Sequence, residues 1–178
     1  VEWFNEPAKW SVEDGQVLVC PDPQTDFWRV TGYGYVRDNG HIYGEALSSD
    51  FELSVRIEGD YTAQYDQAGA CVRIDESHWI KTGVERFNDR LRFSTVVTVD
   101  NSSWMLADLP EHFTALNLAL ARRGDAMEIS FSTDDDRLEV ASLVYVEPRV
   151  EALVGVMCAS PEGDGFSARF SDFELHPR

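Results

Sequence analysis

A chain of 178 residues with 43% hydrophobic and 12% aromatic residues carries enough apolar material for a folded core, which excludes a disordered segment. Its net charge of −17 sets it against phosphate backbones and acidic membrane surfaces, so neither nucleic acid nor membrane is an expected partner. No apolar run approaches the roughly 18 residues of a membrane span, and residues 1–178 read as one domain.

In chain order, strand patterns recur and helix patterns do not. The opening Glu2–Pro7 is aromatic and strand-like. Asp26 to Gly44 is dense in aromatic and planar polar residues, with Trp28, Arg29, Tyr33, Tyr35, Arg37, Asp38, His41 and Tyr43, and with a turn signal at Asp38-Asn39-Gly40. Phe51, Leu53, Val55 and Ile57 alternate with polar residues, as in a half-buried strand. Asp66 to Glu85 reads as a hairpin. Ala68, Ala70, Val72, Ile74, Ile80, Thr82 and Val84 form one face; Gln67, Gly69, Cys71, Arg73, Trp79, Lys81, Gly83 and Glu85 form the other, accessible one. Phe93–Val99 is rich in β-branched residues, and Pro110–Phe113 suggests a short helical turn. Leu116, Leu118 and Leu120 alternate, Arg123-Gly124-Asp125 turns the chain, and Met127, Ile129 and Phe131 alternate in return. An acidic turn at Asp134-Asp135-Asp136, an apolar run at Leu153–Cys158, and alternation at Phe166, Ala168 and Phe170 complete the pattern. Many short strands divided by Gly, Asp, Asn and Pro turns indicate an all-β antiparallel sandwich. The two aromatic ends, around Trp3 and Phe173, are expected to lie close together and protect an edge strand.

The hairpin's polar face is the first candidate site. A three-residue loop, Glu76-Ser77-His78, would place Arg73 opposite Lys81, Cys71 opposite Gly83, and Gly69 opposite Glu85. Two opposed cations require an anion near them, either Asp66, Asp75, a residue from another strand, or a ligand carboxylate or phosphate. Glu85 is set apart, roughly 13 Å along the strand from Lys81 at about 3.4 Å per residue. Gly69, Cys71 and Gly83 would leave a trough, or else mark close approach of another backbone.

The aromatic cluster of 26–44 is the second. Flat rings beside planar polar groups suit sugars, whose faces are apolar and whose rims are hydroxylated. The expected ligand-binding set is Trp28, Tyr35, Asp38, Asp66, Gln67, Arg73, Trp79 and Trp104. If the site is catalytic, the candidates are Glu85, Lys81 and His41. Glycoside hydrolysis usually needs two carboxylates; the 79–85 face offers only Glu85, so a second acid would come from Asp66 or Asp38, or His41 would act as the acid. Flanked by Arg73, Lys81 would also be a candidate base.

Lys9 and Lys81 are the only lysines, the remaining cations being arginine, a pattern that compositional bias or adaptation to salt explains. Cys20, Cys71 and Cys158 are odd in number and match no zinc spacing. They read as buried thiols of a reducing compartment, consistent with a cytoplasmic protein. The chain begins at Val1 without a signal-peptide pattern, which leaves a removed leader open. No cofactor or metal motif is present; Asp60, Asp164 and Asp172 leave only a structural calcium ion open.

Trp3–Pro7, Thr25–Trp28, Asp38–His41, Gly59–Tyr61, Tyr65–Gly69, Val72–Glu76, Trp79–Glu85 and Met157–Pro161 together resemble the DUF1349 family over nearly the whole chain. The resemblance implies a concanavalin A-like lectin/glucanase fold, a jelly-roll β-sandwich with its ligand on the concave sheet. The hairpin is also similar to the accessory sandwich of some β-xylosidases. The family includes a yeast member named for regulating enolase. Three readings follow: a carbohydrate-binding or carbohydrate-metabolism-associated protein, with an anionic sugar as one candidate ligand; an enzyme acting on a glycan or sugar acid; or a protein-interaction regulator of a metabolic enzyme. Oligomeric state is left open.

Overall fold

Alternating apolar residues dictate strands throughout, and the computed structural model, which describes residues 1–134 and 137–178, contains no helix among them. In chain order the strands are β1 (Glu2–Phe4), β2 (Lys9–Glu13), β3 (Gln16–Cys20), β4 (Phe27–Arg29), β5 (Val36–Asp38), β6 (His41–Leu47), β7 (Phe51–Gly59) and β8 (Gln67–Asp75). They continue as β9 (His78–Phe87), β10 (Arg90–Val99), β11 (Asn101–Asp108), β12 (Leu116–Arg123), β13 (Ala126–Thr133), β14 (Glu139–Tyr145), β15 (Ala152–Ala159) and β16 (Ala168–Pro177). The first seven-stranded sheet runs β1-β6-β15-β8-β9-β10-β11, and the second runs β14-β13-β12-β7-β16-β3-β2. All pairings within both are antiparallel.

The core lies between the sheets. Leu53, Val55, Ile57, Leu116, Leu118, Leu120, Ile129 and Phe170 of the second sheet are buried in one cluster with Ala68, Ala70, Val72, Val84, Val154 and Val156 of the first. Burying each large aliphatic side chain contributes about 1.5–3 kcal/mol before chain entropy is counted.

The first sheet's other face is not open. The connection from β3 to β6 lays a two-stranded β4–β5 ribbon across it. Phe27, Trp28, Ile42, Cys71, Trp79, Val96 and Met157 form a second, smaller core beneath that ribbon.

Two expectations of layout change. Pro110–Phe113 is irregular rather than helical. It crosses between sheets with Leu109 buried, and the Asp134 carboxylate accepts from the backbone N–H groups of Thr114 and Ala115. The two aromatic ends fall in different sheets, so they do not guard one edge together. β1 is itself an edge of the first sheet, whereas β16 lies inside the second, between β7 and β3. The acidic turn is described only at Asp134; Asp135 and Asp136 lie outside the described residues.

Candidate functional site

The hairpin β8–β9 supplies the floor of the site. Its faces divide as parity requires, but its register is two residues from the expected one. Lys81 faces Cys71, Trp79 faces Arg73, Gly69 faces Gly83, and Gln67 faces Glu85. A two-residue turn, Glu76-Ser77, joins Asp75 to His78, and a bulge at Ile74 restores parity. The Asp75 carboxylate accepts from the Ser77 backbone N–H and hydroxyl and contacts the His78 ring, tightening the turn. Arg73 and Lys81 are therefore not opposed cations, and each has its own carboxylate.

Arg73 reaches the ribbon. Its Nε and Nη2 donate to the two oxygens of Asp38 at 2.9 and 2.5 Å, and its guanidinium lies 4.4 Å from the Phe4 ring centroid. The Asp38 hydrogen bonds hold this guanidinium above its ordinary pKa. Lys81 Nζ is buried and donates to Asp26 Oδ1 at 2.9 Å and to Gln67 Oε1 at 2.6 Å. Gln67 Nε2 donates to the same Asp26 oxygen at 3.2 Å. The Phe27 N–H donates to it as well. All these bonds use Oδ1, so Asp26 Oδ2 has no hydrogen-bond partner among the described residues.

The sequence at 24–40 fixes Asp26 in place. Its backbone N–H donates to the Asn39 side chain, and its carbonyl accepts from the N–H groups of Asn39 and Gly40. The ribbon then turns through Val30, whose φ of 65° is costly for a β-branched residue. Hydrogen bonds from Val30 N–H to the Tyr35 carbonyl and from Gly34 N–H to the Val30 carbonyl hold this turn. Trp28 Nε1 donates to the Thr31 carbonyl. The strained turn presents Tyr33 and Tyr35, 47% and 38% exposed.

These pieces enclose a cleft lined by Asp26, Lys81 and Glu85 below and by Trp28, Tyr33, Tyr35, Tyr65 and Trp104 around. The Trp28 and Trp104 rings meet nearly edge-on, with centroids 6.3 Å apart. Tyr33 and Tyr65 join hydroxyls at 2.9 Å across the mouth. As it stands, the cleft leaves about 20 Å³ free, room for a water molecule. Glu85 is buried and accepts from Trp104 Nε1 at 3.0 Å, while the same N–H also lies 3.0 Å from Ser94 Oγ. Burial pushes the Glu85 carboxyl above its ordinary pKa, against the opposing pull of Lys81 and of hydrogen bonds from Ser94 and Trp104. The hydrogen bond with Tyr65, followed by burial, raises the Tyr33 phenol; burial leads the rise for Tyr35.

Of the residues expected from sequence, Trp28, Tyr35, Lys81, Glu85 and Trp104 meet in this cleft, with Gln67 bracing Lys81. The others lie elsewhere. Asp38 is taken by Arg73. Asp66 is wholly buried and organises its own loop, accepting from Thr62 and Ala63 N–H and from the Ser160 hydroxyl. Trp79 is buried beneath the ribbon, 5.9 Å from Phe27 between centroids, and presents no open ring to a ligand. His41 shares the parity of Tyr43 on β6, which turns it toward the inter-sheet core and away from Lys81. Its Nε2 accepts from the Asp22 N–H at 3.0 Å and its Nδ1 donates to the Asn5 carbonyl, fixing the tautomer. Burial lowers its pKa, and an Nε2 that accepts a hydrogen bond carries no proton. The second carboxylate beside Glu85 is Asp26, rather than Asp66 or Asp38.

Two further expectations are settled by packing. A Cβ at Gly69 would lie 1.9 Å from the Thr82 carbonyl oxygen, so Gly69 and Gly83 mark close backbone approach rather than an open trough. Cys71 is buried and its thiol is pushed up to about 12 by burial, which makes it unreactive. No cluster of three or more His, Cys, Asp or Glu residues is arranged to hold a metal among the described residues.

The site residues that the sequence alone does not single out are Asp26 and Tyr65. Asp26 opens the aromatic stretch and Tyr33 sits within it, but their convergence on Lys81 and Tyr65 depends on how the ribbon folds over the sheet.

Comparison with known proteins gives a family and a fold. The family model described as "Protein of unknown function (DUF1349)" matches residues 3–178. The chain is 35% identical over 173 residues to Regulation of enolase protein 1 of Saccharomyces cerevisiae, covering 97% of this chain and 87% of that one. The crystal structure of a functionally unknown protein from Saccharomyces cerevisiae superposes with a TM-score of 0.93 at 35% identity, over 99% of this chain and 95% of that one. A xylan β-1,4-xylosidase from Bacillus halodurans C-125 shares the fold with a TM-score of 0.75 at 14% identity, over 96% of this chain and 35% of the enzyme.

Proposed function

The chain belongs to the DUF1349 family, and on that footing we propose that it is a carbohydrate-binding β-sandwich protein whose ligand site is the cleft between the first sheet and the β4–β5 ribbon. One observation carries this reading: a buried Asp26–Lys81–Gln67 network with Glu85 beside it forms a polar floor under aromatic walls. Carboxylate oxygens accept from sugar hydroxyls, and Asp26 Oδ2 is free to do so. Indole and phenol rings cover the apolar faces of a pyranose.

The charges favour a neutral sugar over an anionic one. Lys81 is neutralised by Asp26, and Arg73 by Asp38. With both cations paired, neither is left free to attract an anionic ligand. The same pairing, and the removal of His41 to the core side, argue for recognition rather than acid–base turnover. A ring the size of a pyranose exceeds the present free volume, so binding requires the Tyr33–Tyr65 bridge to part. The xylosidase, in which the shared fold is one part of a longer chain, supports association with glycan chemistry. Calorimetry with neutral mono- and oligosaccharides, pentoses included, tests the proposal. Saturable binding that Trp104→Ala weakens at least tenfold supports it; silence across the panel overturns it.

A second reading rests on the name of the Saccharomyces cerevisiae relative, whose similarity covers 97% of this chain. Under that reading this chain binds enolase. Co-sedimentation of the purified chain with enolase at micromolar concentration checks it, and separate sedimentation of the two proteins refutes it.

A further inference from the structure

The sandwich contains a second space that owes nothing to the sugar reading. At the end of the sheets near the β8–β9 turn, a cavity of about 260 Å³ opens between them. Val72, Ile74, Ile80 and Val97 of the first sheet line it, with Met127 and Arg122 from the second. It is far roomier than the 20 Å³ of the cleft beneath the ribbon.

Arg122 is the unusual member. Alternation along β12 puts it on the same inward face as Leu116, Leu118 and Leu120, and it is 2% exposed. A buried guanidinium normally finds a carboxylate, because an unpaired charge in low dielectric is costly. Among the described residues Arg122 has none within salt-bridge distance. Among those residues its Nη1 and Nη2 donate only to the backbone carbonyls of Val150 and Glu147, at 3.2 and 2.8 Å, and its buried Nε has no partner. The Glu147 carboxylate also belongs to the rim, but it accepts from the exposed Tyr145 hydroxyl. Of the other titratable groups in the described lining, Tyr145 donates to Glu147 and His78 is engaged with Asp75. The cavity thus joins an apolar wall to one buried, uncompensated cation that retains an unused donor.

We propose that this cavity binds a small monocarboxylate with an apolar body, its head paired with Arg122 and its chain among Val72, Ile80, Val97 and Met127. An apolar cavity of about 150 Å³ accommodates benzene. Scaling by volume gives room here for roughly ten non-hydrogen atoms, the size of octanoate. A planar guanidinium is suited to a carboxylate head. The attraction is local, since the molecule as a whole carries a net charge of −17 and repels anions at long range. Raising ionic strength to physiological values therefore assists entry while leaving the buried contact largely unscreened.

The test is calorimetric titration of the full chain with octanoate, 1-octanol and octylamine at physiological ionic strength. Octanoate is expected to bind saturably at one site, at least tenfold more tightly than octanol, with no binding of octylamine. Arg122→Gln should reduce octanoate to the level of octanol. Arg122 also ties down two backbone carbonyls, so Val97→Phe provides an independent variant; it fills the cavity and keeps the arginine, and it should abolish binding of both ligands. Equal affinity for octanoate and octanol, absence of octanoate binding at millimolar concentration, or undiminished binding by Val97→Phe each overturns the proposal. Neither Val97→Phe nor Arg122→Gln should alter sugar binding at the cleft, and Trp104→Ala should leave octanoate binding unchanged, so the two sites stand or fall separately.

Discussion

Lys81 holds the candidate cleft together, and its removal separates the ion pair's structural role from its surroundings. With Lys81 replaced by Met, Asp26 remains buried without its counter-ion. Denaturant unfolding should show a loss of about 3–5 kcal/mol. Adding Asp26→Asn should recover much of that loss, because the stranded charge is then gone; a double variant as unstable as the single one would show that Lys81 acts through packing alone. Glu85 gives the site a pH signature. Its carboxyl is raised by burial, so between the unfolded value near 4.3 and its own higher one the folded chain holds more protons than the unfolded chain. Stability from this group is complete below about pH 4.3 and is lost as pH rises through the folded pKa. Glu85→Gln should remove that decline from a series of unfolding midpoints taken between pH 4 and pH 8. An unchanged slope would place the carboxyl's environment wrongly. His41 acts in the opposite sense. Its lowered pKa means that stability present above about pH 6.5 is lost as pH falls through the folded value.

At the scale of elements, the hairpin β8–β9 was half legible. Period-two alternation assigned every side chain from Gln67 to Arg73 and from Trp79 to Glu85 to its face. It did so because a parity error would have buried Lys81 in the aliphatic core. Pairing was not legible to the same degree. A shift of two residues preserves every face, and the bulge at Ile74 depends on the Asp75–Ser77–His78 contacts rather than on any apolar pattern. The ribbon was less legible still. The aromatic residues of 26–44 marked it as important, yet nothing local in the sequence says that it lies on the first sheet, buries Trp79 and brings Asp26 to Lys81. Those contacts join residues 55 positions apart. The glycines answer to the backbone: Gly69→Ala forces a methyl group against the Thr82 carbonyl. A loss of about 3 kcal/mol is expected, measured as a lowered denaturation midpoint. A neutral outcome would mean that the two strands separate without cost.

For the molecule as a whole, the sandwich was the most legible feature. Short alternating strands with polar turns specify two layers around one core, and the sheets follow that pattern from Leu53 to Phe170. What the pattern could not convey is how one face of a sheet becomes a site. That depends on a connection folding back over it and on where buried charges find partners. Lys81 and Arg73 looked like a shared anion trap because the sequence shows their spacing and not their separate carboxylates. Amide and indole resonances followed by NMR during titration with neutral sugars report on the cleft residue by residue. Saturable shifts of the Trp28 and Trp104 indole N–H signals are expected together with the Gln67 and Glu85 amides, while those of Leu118 and Ile129 in the inter-sheet core stay still. Binding that moves signals elsewhere and leaves both indoles unchanged would contradict sugar binding at the cleft.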